Sequence, residues 1–312
     1  MRFSITILGS RSAQPTINHY QSAQLLNVHE QLYLIDCGEG TQRQLMRYGA
    51  HPMQIGHVFI SHLHGDHCYG LFPMISTMGL QGRRTPLHVY APSPIAEIVN
   101  NHLHFFDSEI GFEVVCHEID TTKHQLIFEN KVMEVWSIPL RHRVPCSGFL
   151  FREKMPPLNI RKSALEQYPL GIAQMQAAKR GEDIQLEDGR VIANEELTYT
   201  PYAPRSYAYL SDTTYSAKAA GLAKGCNVMF HEATYADDMR KRAKQTGHST
   251  TLQAAKAALA AEAEQLIIGH FSNRYDSPEV LRDEAATLFA NTIAADEGVC
   301  INIPIKHNKY NL

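Results

Sequence analysis

The chain carries at residues 61–70 the sequence Ser61-His62-Leu63-His64-Gly65-Asp66-His67-Cys68-Tyr69-Gly70. It directly follows the stretch 56–60, which is typical of a short buried strand. Alternate residues of an extended chain point the same way, so His62 and His64 leave the strand end on one side. Gly65 allows the chain to bend, so that Asp66 and His67 can face back toward the same space.

The residue types in this cluster indicate a metal site rather than ordinary burial. A single histidine on an apolar strand is usually a core or surface residue with no ligand role. Four ligand-type side chains within six positions would repel one another and lose hydration without a cation. Imidazole nitrogen and carboxylate oxygen are the usual ligands of zinc in open catalytic sites. Four such groups can serve two metals if the rest of the chain supplies more ligands.

The composition is that of an ordinary soluble globular protein, with 312 residues, 44% hydrophobic and 20% charged. The length allows one large domain or one domain with a substantial insertion. The six cysteines include no C-x-x-C pair, which argues against a disulfide framework and a cysteine zinc site. The net charge of −3 neither indicates nor excludes a nucleic-acid binder. No signal peptide and no membrane span are predicted, so we expect a cytoplasmic location.

The order of predicted elements mixes strand pairs with β-α units, which favours a layered α/β sandwich over a doubly wound sheet. An apolar helix is predicted over about 67–78, and the strand 112–119 is predicted to be antiparallel to those that follow. Asp36 ends another apolar strand. Its carboxylate either caps the helix predicted over 41–48 or orients a group in a site at the strand ends.

Three more predicted strands end in residues that can bind metal. His142, Asp212 and His270 each follow such a strand, although spacing alone leaves both a ligand and a non-ligand role open for His142. Asp212 could use both carboxylate oxygens to bridge two cations. A bridging carboxylate among seven candidate ligands suits a two-metal hydrolytic site with a metal-bound hydroxide as nucleophile. These seven are His62, His64, Asp66, His67, His142, Asp212 and His270.

His248 stands beside the start of an Ala-rich helix, where Thr250 and Gln253 have capping-box spacing. Unpaired N–H groups at such a helix start favour an anion, for example a phosphate. This position therefore predicts that His248 lies close to a bound phosphate group.

The region 153–204 departs from the sandwich pattern. Prolines bracket it, and it is too long to be a simple connector. Residues 152–180 carry a net charge of +4, whereas residues 181–196 carry −5. The region is either a solvated decoration or an arm whose basic half binds a polyanion at a distance from the metal site.

The pattern His-x-His-x-Asp-His, with a later His, Asp and His, resembles the metallo-β-lactamase superfamily. Further stretches make the chain similar, over essentially its whole length, to the ribonuclease Z family within it. The stretches that carry this resemblance are 34–42, 61–71, 186–190, 211–213, 231–234, 248–250 and 270–275.

The resemblance implies a four-layer αββα metallo-β-lactamase sandwich as a single domain over 1–312, with an inserted flexible arm at 153–204 that binds substrate as an exosite. It also implies two zinc ions per subunit. His62, His64 and His142 would hold one of them. Asp66, His67 and His270 would hold the other, and Asp212 would be shared.

The same resemblance implies roles and partners. Asp66 would also accept a proton and orient the attacking hydroxide, His248 would assist the departing 3′-oxygen or steady the scissile phosphate, and Arg274 would pair with phosphate. The substrate would be precursor tRNA, cut to leave a 3′-hydroxyl on the tRNA and a 5′-phosphate on the trailer. The family acts as a homodimer in which one subunit's arm clamps the tRNA that the other cuts.

Two other functions are compatible with the residues. A small-molecule phosphodiesterase or ester hydrolase could use the same metal site. A metal-stabilised RNA-binding protein would need the ligands but no turnover. Manganese, iron or cobalt could replace zinc in a site made of histidine and aspartate.

Overall fold

The computed structural model describes residues 1–106 and 109–307, which fall into two compact units. The first unit comprises Met1–Arg152 and Ser206–Ile303, and the second comprises Glu153–Arg205 with the described part of Pro304–Leu312. Among the described residues, no helix is both long and apolar enough to cross a membrane.

Two seven-stranded sheets form the first unit. One contains β1 (Phe3–Gly9), β2 (Ala23–Val28), β3 (Gln31–Ile35), β4 (Ile55–Phe59), β5 (Leu87–Pro92), β6 (Val114–Ile119) and β18 (Cys300–Asn302), in the spatial order 18-1-2-3-4-5-6. The other contains β7 (Leu126–Glu129), β8 (Met133–Pro139), β9 (Ser147–Glu153), β14 (Ser206–Leu210), β15 (Val228–Glu232), β16 (Gln265–Gly269) and β17 (Thr292–Ala294), in the order 17-16-15-14-9-8-7.

Each sheet buries one face against the other sheet and the opposite face against helices. The core between the sheets includes Ile5, Phe59, Phe149, Tyr207 and Phe230. The outer face of the first sheet packs against α1 (Thr41–Arg47), α3 (Leu71–Leu80) and α4 (Ile95–Phe106). The outer face of the second packs against α8 (Ala217–Leu222), α10 (Thr251–Ala260) and α11 (Glu279–Ala286). The result is the four-layer αββα sandwich.

Two sets of parallel strands bring the loops that carry the site to common sheet edges. Strands β3 to β6 run parallel in the first sheet, and β14 to β17 run parallel in the second. Since parallel strands end at the same edge, the residues that follow β3, β4, β14, β15 and β16 lie at strand carboxyl ends. Two short helices, α2 (Gly65–Cys68) and α9 (Arg240–Thr246), and the 3-10 turns Pro52–Gln54 and Asp237–Met239 belong to the connecting segments.

Two expectations about elements were wrong. Strand β6 pairs parallel with β5, whereas β7 and β8 pair antiparallel. The helix predicted over 67–78 is two helices, because the chain is interrupted before Leu71. The N–H of Gly70 donates to the Cys37 carbonyl at 2.8 Å. A Cβ at this glycine would lie 2.1 Å from the Gly38 carbonyl oxygen, so this break depends on a contact with a distant loop.

The second unit has a small core of its own. It contains α5 (Lys162–Gln167), α6 (Ile172–Lys179) and α7 (Asn194–Leu197), with the two-residue strand pairs β10 (Asn159–Ile160) and β13 (Thr198–Tyr199), and β11 (Ile184–Gln185) and β12 (Val191–Ile192). This core includes the buried side chains of Ala164, Ala178 and Leu197. Arg205 Nη2 and Nε donate to Glu153 at 2.6 and 2.9 Å, and both side chains are buried. This fork-shaped ion pair joins the two ends of the inserted segment.

Candidate metal centre and active site

The structure brings the seven candidate ligands together at the strand ends. His62, His64, Asp66 and His67 follow β4, with the last two on α2, while the other three follow β8, β14 and β16. His270 has a left-handed backbone, with φ of 61°, as does Asp36, with φ of 54°. Such conformations are unfavourable for residues other than glycine and are typical of functional sites.

His62, His64 and His142 form the first ligand group. His64 Nδ1 lies 3.0 Å from His62 Nε2 and 3.4 Å from His142 Nε2. Asp212 Oδ2 lies 3.6 Å from His62 Nε2 and 3.8 Å from His142 Nε2. One atom from each of these four residues lies within 4.8 Å of the others, so the group could hold one cation.

Asp66, His67 and His270 form the second ligand group. His67 Nε2 and His270 Nε2 are 3.3 Å apart, and Asp66 Oδ2 lies 3.5 and 3.4 Å from them. Asp212 faces this group through its other oxygen, because Oδ1 lies 3.5 Å from His67 Nε2 and 3.2 Å from His270 Nε2. The two oxygens of Asp212 thus point to different ligand groups.

These distances fit metal ligands better than they fit hydrogen bonds among the side chains. In tetrahedral zinc sites, bonds of about 2.0–2.1 Å place neighbouring donor atoms about 3.4 Å apart. Asp212 Oδ1 is buried and has no hydrogen-bond partner among the described residues. A buried polar atom rarely lacks a hydrogen-bond partner, and a cation between the ligands would interact with this oxygen instead.

The electrostatics of the site also favour cations. Burial lowers the pKa of His62 far below its usual range, and the neighbouring His67 adds to this effect. Burial alone would raise the pKa of Asp66 and Asp212, but the facing imidazoles outweigh it and hold both below the usual range. For His67, burial is outweighed by Asp66, Asp212 and Asp36, which raise its pKa. Buried carboxylates therefore draw positive charge into this site.

Asp36 holds His67 from behind rather than capping a helix. His67 Nδ1 donates to its Oδ2 at 2.7 Å, and Tyr209 donates to the same oxygen at 2.6 Å. The Ser61 N–H donates to Oδ1 at 2.7 Å. Of the two roles left open for Asp36, capping is excluded, because α1 starts after Gly40 without a side-chain cap. A carboxylate behind an imidazole fixes the ring and makes it a stronger metal ligand.

Three of the other histidine rings also have partners on their far side. His62 Nδ1 lies 3.0 Å from the Ser61 hydroxyl, and His142 Nδ1 donates to the Gly247 carbonyl at 2.8 Å. His270 Nδ1 lies 3.0 Å from Thr234 Oγ1. These contacts orient the nitrogens that face Asp212.

Glu232 is a buried carboxylate that is not among the predicted site residues. Like Asp36 and Asp212, Glu232 stands at the end of a strand. This position is the sequence signal that could have identified it. Its Oε1 accepts from the Ser249 N–H at 2.8 Å and from His248 Nδ1 at 3.1 Å. Burial lowers the pKa of His248, but the Glu232 carboxylate outweighs this and raises it to about 9. His248 therefore carries a proton at neutral pH.

His248 lies beside the bridging carboxylate. Its Nδ1 is 3.8 Å from Asp212 Oδ2, and its ring stacks on that of His270 at 5.3 Å. Distance alone would also group His248 with Asp212 and His270 as ligands. Its charge and its bond to Glu232 suit a proton donor better.

A cavity of about 370 Å³ opens onto the two ligand groups. Arg143, which is not among the predicted site residues, lines it together with His64, Asp66, Asp212 and His248. Arg274, the predicted phosphate ligand, is exposed and lines a second cavity of about 440 Å³. A guanidinium thus faces each of two cavities, where it can bind a phosphate.

The sequence is similar to proteins named ribonuclease Z. That of Bacteroides thetaiotaomicron is 44% identical over 302 residues, which cover 97% of this chain and 96% of that protein. That of Bacteroides fragilis is 43% identical over 97% of this chain and 99% of that protein. A family model described as the anti-Pycsar protein Apyc1 matches residues 3–148.

The structure is similar to solved metallo-β-lactamase fold proteins. Human tRNase Z, short form, superimposes with a TM-score of 0.71 at 25% identity, over 97% of this chain and 100% of that chain. The metallo-β-lactamase fold protein YhfI of Bacillus subtilis gives 0.69 at 17% identity over the same shares, a likeness of fold alone. The identity to the Bacteroides proteins extends over nearly the whole chain, so this protein belongs to the ribonuclease Z family of hydrolytic endoribonucleases.

Proposed function

We propose that this protein is a zinc-dependent endoribonuclease that removes the 3′ trailer from precursor tRNA, leaving a 3′-hydroxyl on the tRNA and a 5′-phosphate on the trailer. The main observation in support of this proposal is that the two carboxylate oxygens of Asp212 face different ligand groups. It occurs in a chain whose ribonuclease Z relatives match it over nearly its full length.

The first ligand group would hold one zinc ion and the second the other, with Asp212 shared. Two such ions would supply a hydroxide nucleophile at neutral pH and neutralise charge on the phosphoryl oxygens. Metal binding requires neutral imidazoles and ionised carboxylates, so a bound cation would displace the proton that the neighbouring carboxylates favour on His67.

The protein's own groups would move the protons. Asp66 belongs to the second ligand group, with Oδ2 3.5 Å from His67 Nε2, and its carboxylate can accept a proton from the attacking water while orienting it. The new bond joins the water oxygen to phosphorus, and the bond from phosphorus to the 3′-oxygen breaks. The Glu232 carboxylate raises the pKa of His248 to about 9, so His248 can give a proton to the departing 3′-oxygen. Arg143 and Arg274 would pair with phosphate oxygens.

The second unit is proposed as the substrate-binding arm of a homodimer. Its first half is basic, and its own core with the Glu153–Arg205 ion pair would keep it folded as a clamp. Each subunit's arm would then serve the site of its partner. Mixing Asp212→Ala subunits with subunits lacking residues 155–197 should restore cleavage, because one hybrid site would be complete. No recovery on mixing would argue against sharing between subunits.

The function is tested by a cleavage assay on a precursor tRNA with metal-free protein reloaded with zinc, manganese, iron or cobalt. We expect zinc to restore cleavage and end mapping to find a tRNA 3′-hydroxyl and a trailer 5′-phosphate. If the zinc protein hydrolysed bis(p-nitrophenyl) phosphate yet left the precursor intact, the tRNA assignment would be wrong.

A small-molecule phosphodiesterase that uses the same metal site is the alternative. Removal of residues 155–197 separates the two functions. For a tRNA-processing enzyme, precursor cleavage should fall far more than hydrolysis of the small diester. Equal losses on both substrates would favour the alternative.

A further inference from the structure

The second cavity adjoins the metal-site cavity and shares a wall with it. Ser12, Ala13, Tyr235 and Ser272 line both cavities. At about 440 Å³, the second cavity has the size of a small-ligand site. A substrate strand whose scissile phosphate lies at Asp212 can therefore continue into it.

Backbone and side-chain bonds hold this shared wall in place. The Ser12 N–H donates to the Phe271 carbonyl at 3.2 Å, and the Phe271 N–H donates to the Ser10 carbonyl at 3.1 Å. Arg11 Nη1 donates to the Tyr275 carbonyl at 3.0 Å. The first loop of the chain and the segment after β16 thus form a prearranged surface, which limits the ordering cost of binding.

Two arginines line this cavity, and neither is paired with a carboxylate of the described residues. Arg242, on α9, and Arg274 both line it and are exposed. Within residues 1–106 and 109–307, neither forms an ion pair with a carboxylate, whereas the nearby Arg240 pairs with Asp237 at 2.8 Å. No acidic residue is among the residues that line the cavity. Two such cations beside one cavity favour an anion, and guanidinium geometry suits phosphate.

Asn273 also lines this cavity, and its side chain carries a hydrogen-bond acceptor without a partner among the described residues. Its Nδ2 donates to the Gln14 carbonyl at 2.9 Å. A carbonyl can only accept, so this bond fixes which end of the amide is nitrogen. The opposite atom, Oδ1, is buried and has no partner among the described residues. It can accept from a hydroxyl donor such as the 2′-hydroxyl of a ribose.

We propose that the second cavity is a subsite for the ribonucleotide next to the scissile phosphate, with Arg242 and Arg274 on its phosphate and Asn273 Oδ1 accepting from its 2′-hydroxyl. The inference rests on the proposed function and adds to it a subsite that distinguishes RNA from DNA. Arg242 and Asn273 are its binding residues, and neither faces the ligand groups.

The test uses the zinc-loaded full chain and precursor tRNAs with one uncharged methylphosphonate linkage, placed one nucleotide before or after the scissile phosphate. Arg242→Ala should raise KM on the unmodified precursor about fivefold, the effect of losing one partly exposed charge pair. This rise in KM should vanish on one of the two modified precursors, because the phosphate that Arg242 contacts is neutral in that precursor. Lys241→Ala, one position earlier on the same exposed helix, is the control and should match wild type.

The contact between Asn273 Oδ1 and the 2′-hydroxyl is tested with precursors that carry a single 2′-deoxy nucleotide, placed one nucleotide before or after the scissile phosphate. Deoxy substitution at the nucleotide read by Arg242 should raise the wild-type KM about threefold, and Asn273→Ala should abolish that difference.

The inference is overturned if wild type cleaves all precursors while Arg242→Ala behaves like Lys241→Ala, or if its penalty persists on both methylphosphonate precursors. A deoxy penalty that Asn273→Ala leaves unchanged overturns the ribose contact. A wild-type protein that cuts no precursor at all overturns the proposed function and this subsite with it.

Discussion

The first and second ligand groups share Asp212 but differ in charge and in what lies behind their rings. The first consists of three imidazoles, two of which are backed by the Ser61 hydroxyl and the Gly247 carbonyl. The second contains the Asp66 carboxylate, and one of its imidazoles donates directly to buried Asp36. Two similar sets of ligands therefore lie in different electrostatic surroundings.

This difference predicts unequal metal affinity. A second carboxylate among the ligands adds attraction for a dication, and low exposure preserves that attraction. A carboxylate behind a histidine also raises the basicity of the ring. We therefore expect the second group to hold its cation more tightly, and the first group to exchange its cation more readily.

The largest effect is expected from Asp212→Ala, which removes the one side chain that both groups share. Both cations should be lost or misplaced, so precursor cleavage should fall by about four orders of magnitude or more. Metal analysis should find fewer than one zinc per subunit. Asp120→Asn, in the exposed turn after β6, is the control for loss of a carboxylate. Two tightly held zinc ions in Asp212→Ala would show that the groups are independent.

Asp66→Ala should break the second group alone. Turnover should fall by about three orders of magnitude, because a ligand and a proton acceptor are lost together. Metal content should fall toward one equivalent, held by the three histidines of the first group. His64→Ala is the matched variant for the first group and should keep the more tightly bound cation. Unchanged turnover in Asp66→Ala would instead favour a metal-stabilised RNA-binding protein without catalysis.

Asp36→Asn tests the carboxylate behind His67 without touching a ligand. Asparagine tolerates the left-handed backbone at this position, so the change removes the charge with little backbone strain. Loss of such a partner weakens metal affinity or activity about 10- to 100-fold. Competition with a chelator measures the affinity. Tyr209→Phe, which removes another donor to the same oxygen, should have a smaller effect, and equal effects would mean that the charge is unimportant.

Strand-end positions made most of this site predictable from sequence. His62, His64, Asp66 and His67 stand close together in the chain, and a strand fixes which way they point. The more distant candidates, such as Asp212 and His270, were identified because each follows a short apolar strand. The alternation of strand pairs and β-α units was enough to predict a layered sandwich.

Contacts between distant segments decided what the sequence could not show. Glu232 acts on His248 sixteen residues later, and no local spacing connects them. Arg242 belongs to a basic run, and only the fold turns it toward a cavity while Arg240 pairs with Asp237. The break before α3 depends on how closely Gly70 approaches Gly38. Which sheet a strand joins, as for β6, is likewise settled by packing rather than by its own residues.

The smallest effect is expected from Thr234→Val, which tests whether the second group also depends on an indirect carboxylate. The Thr234 hydroxyl donates to Glu232 at 2.8 Å and lies 3.0 Å from His270 Nδ1. It passes the influence of Glu232 to the ring through one more hydrogen bond, so the effect should be weaker than that of Asp36. Valine keeps the shape, and we expect about a three- to tenfold loss of zinc affinity, the cost of one hydrogen bond.

Thr292→Val, which removes another largely buried hydroxyl whose partner is the Phe289 carbonyl, controls for a general loss of stability. If Thr234→Val weakened zinc binding as much as Asp36→Asn, both imidazoles of the second group would depend equally on charge behind them. If it had no effect, the higher affinity of that group would derive from Asp66 and Asp36 alone.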